Sequence, residues 1–424
     1  MFTGRVRCRG MSPASAPAER PALDKPTLAI LALTYAFCAA NMLRVIVAPD
    51  TTVPPWDFSC FWYAGQAWLA GVSPYDAAAA ASAGPAPEYF SDRPFFYPPA
   101  SRPLFEAFAL VPFEASRNAF AVLSVTLWAA ICAVVTLRLP TAWPPLVRHA
   151  AMPVFISIVM IPARMSVEEG QTVVILVAAV AALVMLGHRR ADRVHWLPMA
   201  LILTALSLKP QLGLPIAAVA VLRWADWRGV AAASLLVGTL TLYGAAGRPD
   251  VFLAEFLHNL SLYGDYPENQ PTTTSGSPTL IALAGLPKPP SLLLAGLATL
   301  AGLGAALSRL PREQALLLGL SVALLILPNH RHGYLLLVPL IPVVLAAPRP
   351  ARVVMGGASL MMAYSMVVRY FSDPQHYFGT FAVDALTETA AIVLFAGAAA
   401  AWLLPSALPQ RSELLVERPH GVVA

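Results

Sequence analysis

Trp196-Leu-Pro-Met-Ala-Leu-Ile-Leu-Thr-Ala-Leu-Ser-Leu-Lys209-Pro210-Gln-Leu-Gly-Leu-Pro-Ile-Ala-Ala-Val-Ala-Val-Leu222 is the stretch on which the architecture turns. Its one ionisable residue, Lys209, stands in the middle and is followed by a proline. A hydrocarbon core of about 30 Å is crossed by about 20 apolar helical residues. The stretch is therefore either one crossing or two short ones broken at Lys209-Pro210. The choice reverses the side of every later loop, so the excess of Lys and Arg on the cytoplasmic side can decide it. With two crossings, the later cytoplasmic ends carry Arg223, Arg228, Arg309, Arg312, Arg349, Arg352, Arg411 and Arg418. The opposite ends then hold Arg248, Lys288, Arg331 and Arg369. Eight against four favours the break.

The rest of the composition agrees with a membrane setting. A chain of 424 residues would ordinarily hold two or three soluble domains, but 58% of it is hydrophobic and only 12% charged, with a mean hydropathy of +0.64. A soluble domain is about a quarter charged, so this chain cannot coat a water-facing surface and needs an apolar solvent. Forty prolines point to many broken or sharply ended helices. The net charge of +5 follows from basic residues at span ends and does not indicate a nucleic-acid partner. Cys8, Cys38, Cys60 and Cys132 show no C-x-x-C spacing, which argues against a metal knuckle or a disulfide framework. Arg5, Arg7, Arg9, Arg20 and Lys25 precede an apolar run from Pro26 to Ala48, long enough to remain as an anchor rather than be cleaved. A start at Met11 would change nothing that follows.

The expected fold is an all-α polytopic membrane protein with spans near 26–48, 117–137, 150–164, 171–187, 196–208, 211–222, 229–246, 291–307, 314–327, 333–347, 353–371 and 385–404. The apolar piece 278–286 is too short to cross and reads as re-entrant or interfacial. Residues 1–25 and 406–424 form cytoplasmic tails around a membrane domain at 26–405. Every inside loop is short, and none could hold a nucleotide-binding domain. The long loops, 49–116 and 247–290, lie outside, where surface function concentrates. The working face is expected to be extracytoplasmic, on the plasma membrane.

In the first outer loop, Asp57-Phe-Ser-Cys-Phe-Trp-Tyr-Ala-Gly-Gln-Ala-Trp-Leu69 places large apolar side chains at helical spacing. Its Trp and Tyr content suits a helix lying in the interface, and Pro55 and Gly71 bracket it. Asp57 stands in its first turn. A plain N-cap is one reading of it, although Cys60 rather than Glu or Gln stands where a capping box needs an acid or amide. Further on come Ser73-Pro74-Tyr75-Asp76 and Phe96-Tyr97-Pro98-Pro99. Prolines fix the backbone there and aromatics supply flat walls. Arg93 and Arg102 flank the second motif and could meet a phosphate.

Asp57 to Asp76, read as Asp-Phe-x-x-Phe-Trp-Tyr-Ala-Gly-x-x-x-x-x-Gly-x-x-Pro-Tyr-Asp, resembles the first extracytoplasmic loop of glycosyltransferase family 87. Phe96-Tyr97-Pro98-Pro99, Gly170-Gln171 and Leu208-Lys209-Pro210-Gln211 resemble later family motifs, in order, over roughly residues 30–345. The resemblance implies a GT-C-type bundle of about 12 transmembrane helices whose long first outer loop holds interfacial helices. It also implies a polyprenyl-phosphate-mannose donor, and carries the proposed catalytic base onto Asp57.

Other candidates are read beside their plainer alternatives. A lysine in a membrane segment either snorkels or meets an anion, and the Lys-Pro-Gln match turns Lys209, with Gln211, towards donor phosphate. Glu168 and Glu169 are adjacent acids of a kind usually just solvated, yet Glu169 and Gln171 could contact sugar hydroxyls. His330-Arg331-His332 resembles the family's proline-then-histidine segment; it could hold a diester phosphate or cap a helix. Trp56, Trp62, Tyr63, Tyr75, Asp76 and Tyr97 would wall the sugar pocket. In the second outer loop, Tyr263 to Asn269 and Thr272 to Ser275 are polar enough to meet an acceptor, and Asn259-Leu-Ser261 matches a glycosylation sequon.

The sequence has no D-x-D pair, Walker A motif, H-E-x-x-H or G-x-G-x-x-G opening a βα unit. No metal and no nucleotide cofactor are expected. The expected partners are a polyprenyl-phosphate-linked sugar, a lipid or glycan acceptor and membrane lipids. The rival classes are a secondary transporter, which also breaks helices near its site, and a polysaccharide ligase or polymerase. The long outer loops, and ionisable residues gathered at span ends, favour the transferase.

Overall fold

The computed structural model describes residues 56–76, 95–139, 169–187, 195–245, 249–262, 274–372 and 381–407, with a few single positions outside these runs. Every regular element among them is helical. In chain order they are α1 (Trp56–Leu69), a 3-10 turn (Pro99–Ser101), α2 (Arg102–Ala109), α3 (Phe113–Arg138), α4 (Val173–Gly187), α5 (Trp196–Ser207), α6 (Pro210–Arg223) and α7 (Trp227–Gly244). There follow α8 (Pro249–Leu262), α9 (Ser277–Leu283), α10 (Ser291–Leu307) and α11 (Arg312–Ile326). A 3-10 run (Arg331–Leu340), α12 (Ile341–Leu345), α13 (Arg349–Ser372) and α14 (Phe381–Ala407) complete the order.

Prolines punctuate the chain as their chemistry dictates. A residue before proline is pushed out of the α region, and Lys209, at φ −134° and ψ 75°, leaves the helix before Pro210 opens α6 at its first position. The stretch 196–222 is thus two helices packed on each other. Gly213 permits that closeness, since a Cβ there would lie 1.8 Å from the Leu206 carbonyl oxygen. Pro339 and Pro342 remove two backbone donors, and this part of the chain winds as a 3-10 run before a single short α-turn. Asp226 caps α7 by accepting from the Gly229 N–H at 2.8 Å.

Ten of the twelve expected crossings fall on these helical segments, while 26–48 and 150–164 lie outside the described residues apart from single positions. Among the described residues, Phe113–Val135 and Ala385–Ser406 are long and apolar enough to cross a membrane by themselves. Shorter apolar helices surround them at 173–186, 196–207, 210–223, 291–307 and 332–345. The piece 278–286 holds only the seven-residue α9. One core of Leu, Val, Ile and Ala joins α3–α7 and α10–α14 with the 3-10 run between α11 and α12. Leu201, Leu235, Leu242, Leu292, Leu300 and Leu307 are exposed on its outside, which water would not tolerate at this density and lipid does.

The segment before α3 and helix α8 build a second, aromatic core. Phe58, Phe61, Trp68, Tyr75, Phe95, Phe105, Phe120, Phe252 and Phe256 are buried together. Phe61 stacks on Phe105, with centroids 4.6 Å apart and planes 2° off parallel. This wedge joins α1, α2 and α8 to the start of α3, and holds the first turn of α1 against the main bundle.

Candidate functional site

The helix α1 begins at Trp56, so Asp57 lies inside the first turn rather than at the cap position. Its neighbour fixes it twice. The Phe58 N–H, one of the donors a helix start leaves unsatisfied, donates to the Glu169 carbonyl at 3.0 Å. The Phe58 ring packs against Phe108, Phe113 and Phe120 at 5.8, 5.8 and 5.4 Å.

Glu169 belongs to a turn closed in the Schellman manner. The Gln171 N–H donates to Ser166 O at 2.7 Å, the Gly170 N–H to Val167 O at 3.2 Å, and Gly170 takes φ +74°. The closure turns the Glu169 side chain towards His332, whose Nε2 lies 2.8 Å from Glu169 Oε2. The other ring nitrogen, Nδ1, is 2.9 Å from Ser166 Oγ. All three side chains are buried. A carboxylate, an imidazole and a hydroxyl thus form a continuous line beside the start of α1.

Lys209 enters from the break between α5 and α6. It is half-buried, and its Nζ donates to Gln171 Oε1 at 3.4 Å. Burial pulls its ammonium below the ordinary lysine value, while the carboxylates of Asp57 and then Glu169 act in the opposite direction. Two acids and one base from three distant parts of the chain therefore share one field. Tyr97 closes a further side: its hydroxyl lies 3.0 Å from Thr172 Oγ1. Such a site can accept a proton, at a carboxylate, and stabilise an anion, at an ammonium.

The family model of glycosyltransferase family 87 matches residues 95–328. The chain belongs to glycosyltransferase family 87. It is therefore a membrane glycosyltransferase, and takes a sugar donor and an acceptor. No curated protein and no solved structure matches it.

Of the residues expected to serve a family 87 enzyme, Asp57, Glu169, Gln171, Lys209, His332 and, through Thr172, Tyr97 converge here. Gln211 is half-buried in the first turn of α6, and half-buried His330 precedes the 3-10 run. The aromatic candidates of the first loop are turned elsewhere. Trp62 donates its indole N–H to Val111 O at 3.0 Å and meets Tyr63 and Phe113 edge-on. Burial raises the Tyr63 phenol above its ordinary value. Tyr75 is buried among Trp68, Phe95 and Phe256, with its hydroxyl on Tyr97 O at 2.7 Å. Asp76 is exposed. The side chains of Trp56 and Arg331, and the whole of Arg93 and Glu168, lie outside the described residues.

Arg102 is engaged in holding the loop. Its Nε donates to Glu106 at 2.7 Å, its guanidinium lies 4.7 Å from the Tyr243 ring centre, and Tyr243 donates its hydroxyl to Glu106 at 2.6 Å. Asn259 is likewise engaged: it is 4% exposed, and its amide donates to Tyr75 O at 2.9 Å and Phe95 O at 3.4 Å, so the sequon is not presented for glycosylation. Sequence reasoning missed Ser166, Thr172 and Glu388, a carboxylate buried within α14 at 4% exposure. An acid inside an apolar span was the signal for the last. Among the described residues no group of three or more His, Cys, Asp or Glu could hold a metal ion.

Proposed function

We propose that this family 87 chain is a multi-pass plasma-membrane enzyme of GT-C type that moves mannose from polyprenyl phosphate to a hydroxyl of a lipid or glycan acceptor. The transfer inverts the anomeric centre and takes place on the extracytoplasmic face, with both termini cytoplasmic. The observation that carries this reading is Lys209, at a break between two apolar helices, hydrogen-bonded to Gln171 in the turn whose Glu169 carbonyl holds the first turn of the Asp57 helix. An acid and a cation at the edge of an apolar bundle suit a substrate with a sugar head, a phosphate and a hydrocarbon tail.

In the proposed reaction the acceptor O–H gives its proton to the Asp57 carboxylate as the acceptor oxygen attacks the anomeric carbon. The bond from that carbon to the phosphate oxygen breaks, and its electron pair leaves with polyprenyl phosphate. That leaving group is already a stable anion and needs charge stabilisation more than protonation, which Lys209 supplies with the helix N-terminus at Pro210. Gln171 orients Lys209 through their shared hydrogen bond. Arg331 and His330 join the phosphate contact, and Tyr97, whose hydroxyl lies beside Thr172, walls the sugar.

Purified protein incubated with polyprenyl-phosphate-mannose and a panel of lipid acceptors should form a mannosylated lipid. Proteoliposomes that accumulate solute while forming no product would point to a transporter instead. Orientation is tested separately. Cysteines placed at positions 265 and 331 should react with an impermeant reagent from outside, and one at 190 should not.

A further inference from the structure

The turn that carries His332 is held at both ends by one residue of the other outer loop. Ser275 pairs with Asn329 as an isolated antiparallel bridge, with the Ser275 N–H donating to Asn329 O at 2.9 Å and the Asn329 N–H to Ser275 O at 3.0 Å. The Ser275 hydroxyl donates to the same Asn329 carbonyl at 3.1 Å and also hydrogen-bonds the Tyr334 hydroxyl. Asn329 and Tyr334 bound a six-residue segment in which Gly333 N–H donates back to His330 O at 2.8 Å. His332 lies inside it.

The strap bearing Ser275 is itself fixed. The Gly276 N–H donates to Thr389 Oγ1 on α14 at 3.0 Å, and Ser277 Oγ donates to Ile326 O at 2.6 Å. Gly276 takes φ +104°, and a Cβ there would come within 2.6 Å of Leu327 O, so the strap lies hard against the end of α11. Ser275, Thr389 and Asn329 are 0%, 0% and 2% exposed. Side chains this buried gain nothing from contact with solvent or headgroups. Their order must matter to what they hold.

We propose that Ser275 is a positioning residue: it staples Asn329 to Tyr334, and thereby aims the His332 imidazole at Glu169 beside the Asp57 helix. The second outer loop would then contribute to the site through geometry, with Ser275 touching no substrate. The expected effect on turnover rests on the glycosyl-transfer reading above; the expected effect on the histidine does not.

The test uses the full-length protein in detergent with lipid, and the histidine-acylating reagent diethyl pyrocarbonate read by peptide mass spectrometry. Native His332, with both ring nitrogens engaged, should be protected, while exposed His258 on α8 serves as the internal reference. Ser275→Ala keeps the two backbone bonds and deletes the hydroxyl. It should raise His332 modification several-fold relative to His258, and Ser275→Thr, which restores a hydroxyl, should bring protection back. Misplacing a group by about 1 Å can cost about a hundredfold in rate. kcat should therefore fall about ten- to a hundredfold in Ser275→Ala, and the donor KM should rise with it, because His330 and Arg331 lie in the same stapled segment. If Ser275→Ala does not fold, Tyr334→Phe, which removes the other hydroxyl and leaves the strap intact, decides in its place with the same expectation. Unchanged His332 protection in the folded variant overturns the proposal. Native protein that makes no glycosylated product, yet loses His332 protection in the variants, sinks the transfer reading and leaves the staple standing.

Discussion

Gly170 meets Phe58 so closely that a Cβ at residue 170 would lie 2.4 Å from the Phe58 Cβ and 3.1 Å from its Cα. The contact brings the turn of Glu169 onto the first turn of α1 and makes the bond from the Phe58 N–H to the Glu169 carbonyl attainable. Gly170→Ala meets two penalties. The left-handed backbone costs a non-glycine residue about 1–2 kcal/mol, and overpacking typically costs about 1–3 kcal/mol more. Thermal unfolding in detergent should show the variant destabilised, and turnover should fall further than the stability loss explains, because α1 must back away from Glu169. A variant with native melting behaviour and native kcat would mean that this contact is not needed for the site.

Arg102 and Glu106 form a largely buried ion pair on α2, with side chains 13% and 10% exposed, and exposed Tyr243 of α7 joins it through the Glu106 carboxylate. Removing one partner of a buried ion pair leaves the other charge uncompensated and costs about 3–5 kcal/mol. Glu106→Gln should therefore lower folded yield and melting temperature, while the protein that does fold keeps its donor KM. A raised donor KM at native stability would return Arg102 to the phosphate-binding role that its place after the Phe-Tyr-Pro-Pro motif allows.

The parts of the molecule that were legible in the sequence are those set by neighbours in the chain. Lys209 before Pro210 marks the helix break because proline disfavours helical backbone in the preceding residue, and the aromatic spacing after Asp57 marks α1. The pairs that organise the site are of another kind. Glu169 meets His332, and Arg102 meets Tyr243, across more than a hundred residues. No period or motif within a span reports such a meeting. The first-loop aromatics show the same limit from the other side: Trp62 and Tyr75 are conspicuous in the sequence, yet their polar atoms are taken up by Val111 and Tyr97 carbonyls in the wedge.

Lys209 separates a phosphate ligand from a snorkelling side chain. Lys209→Ala removes a cation that lies in the field of both Asp57 and Glu169. A hydrogen bond to a charged group is worth about 1.5–3 kcal/mol, so the donor KM should rise about ten- to a hundredfold. Lys209→Arg should recover part of it, since charge matters more here than shape. Steady-state kinetics against donor concentration would decide. Reduced folded yield with an unaltered donor KM would assign Lys209 to the lipid boundary.

Asp57 is tested most sharply by a substitution that keeps its shape. A carboxylate in the first turn of a helix contributes about 0.3–1 kcal/mol of stability through the helix dipole and nothing to the chemistry, whereas general-base assistance contributes about 10²–10⁴-fold in rate. Asp57→Asn keeps the size and shape of the side chain, and leaves both the Phe58–Glu169 backbone bond and the aromatic wedge untouched. It does remove a negative charge beside Lys209, which would favour donor phosphate slightly, so donor binding should be native or somewhat tighter. Turnover should fall at least about a hundredfold, because an amide cannot take the acceptor's proton. Asp57→Glu keeps a carboxylate but moves it by one methylene, and should retain a measurable fraction of the rate. If Asp57→Asn turns over at close to the native rate, the base is not Asp57, and the buried Glu169–His332 pair becomes the group to replace next.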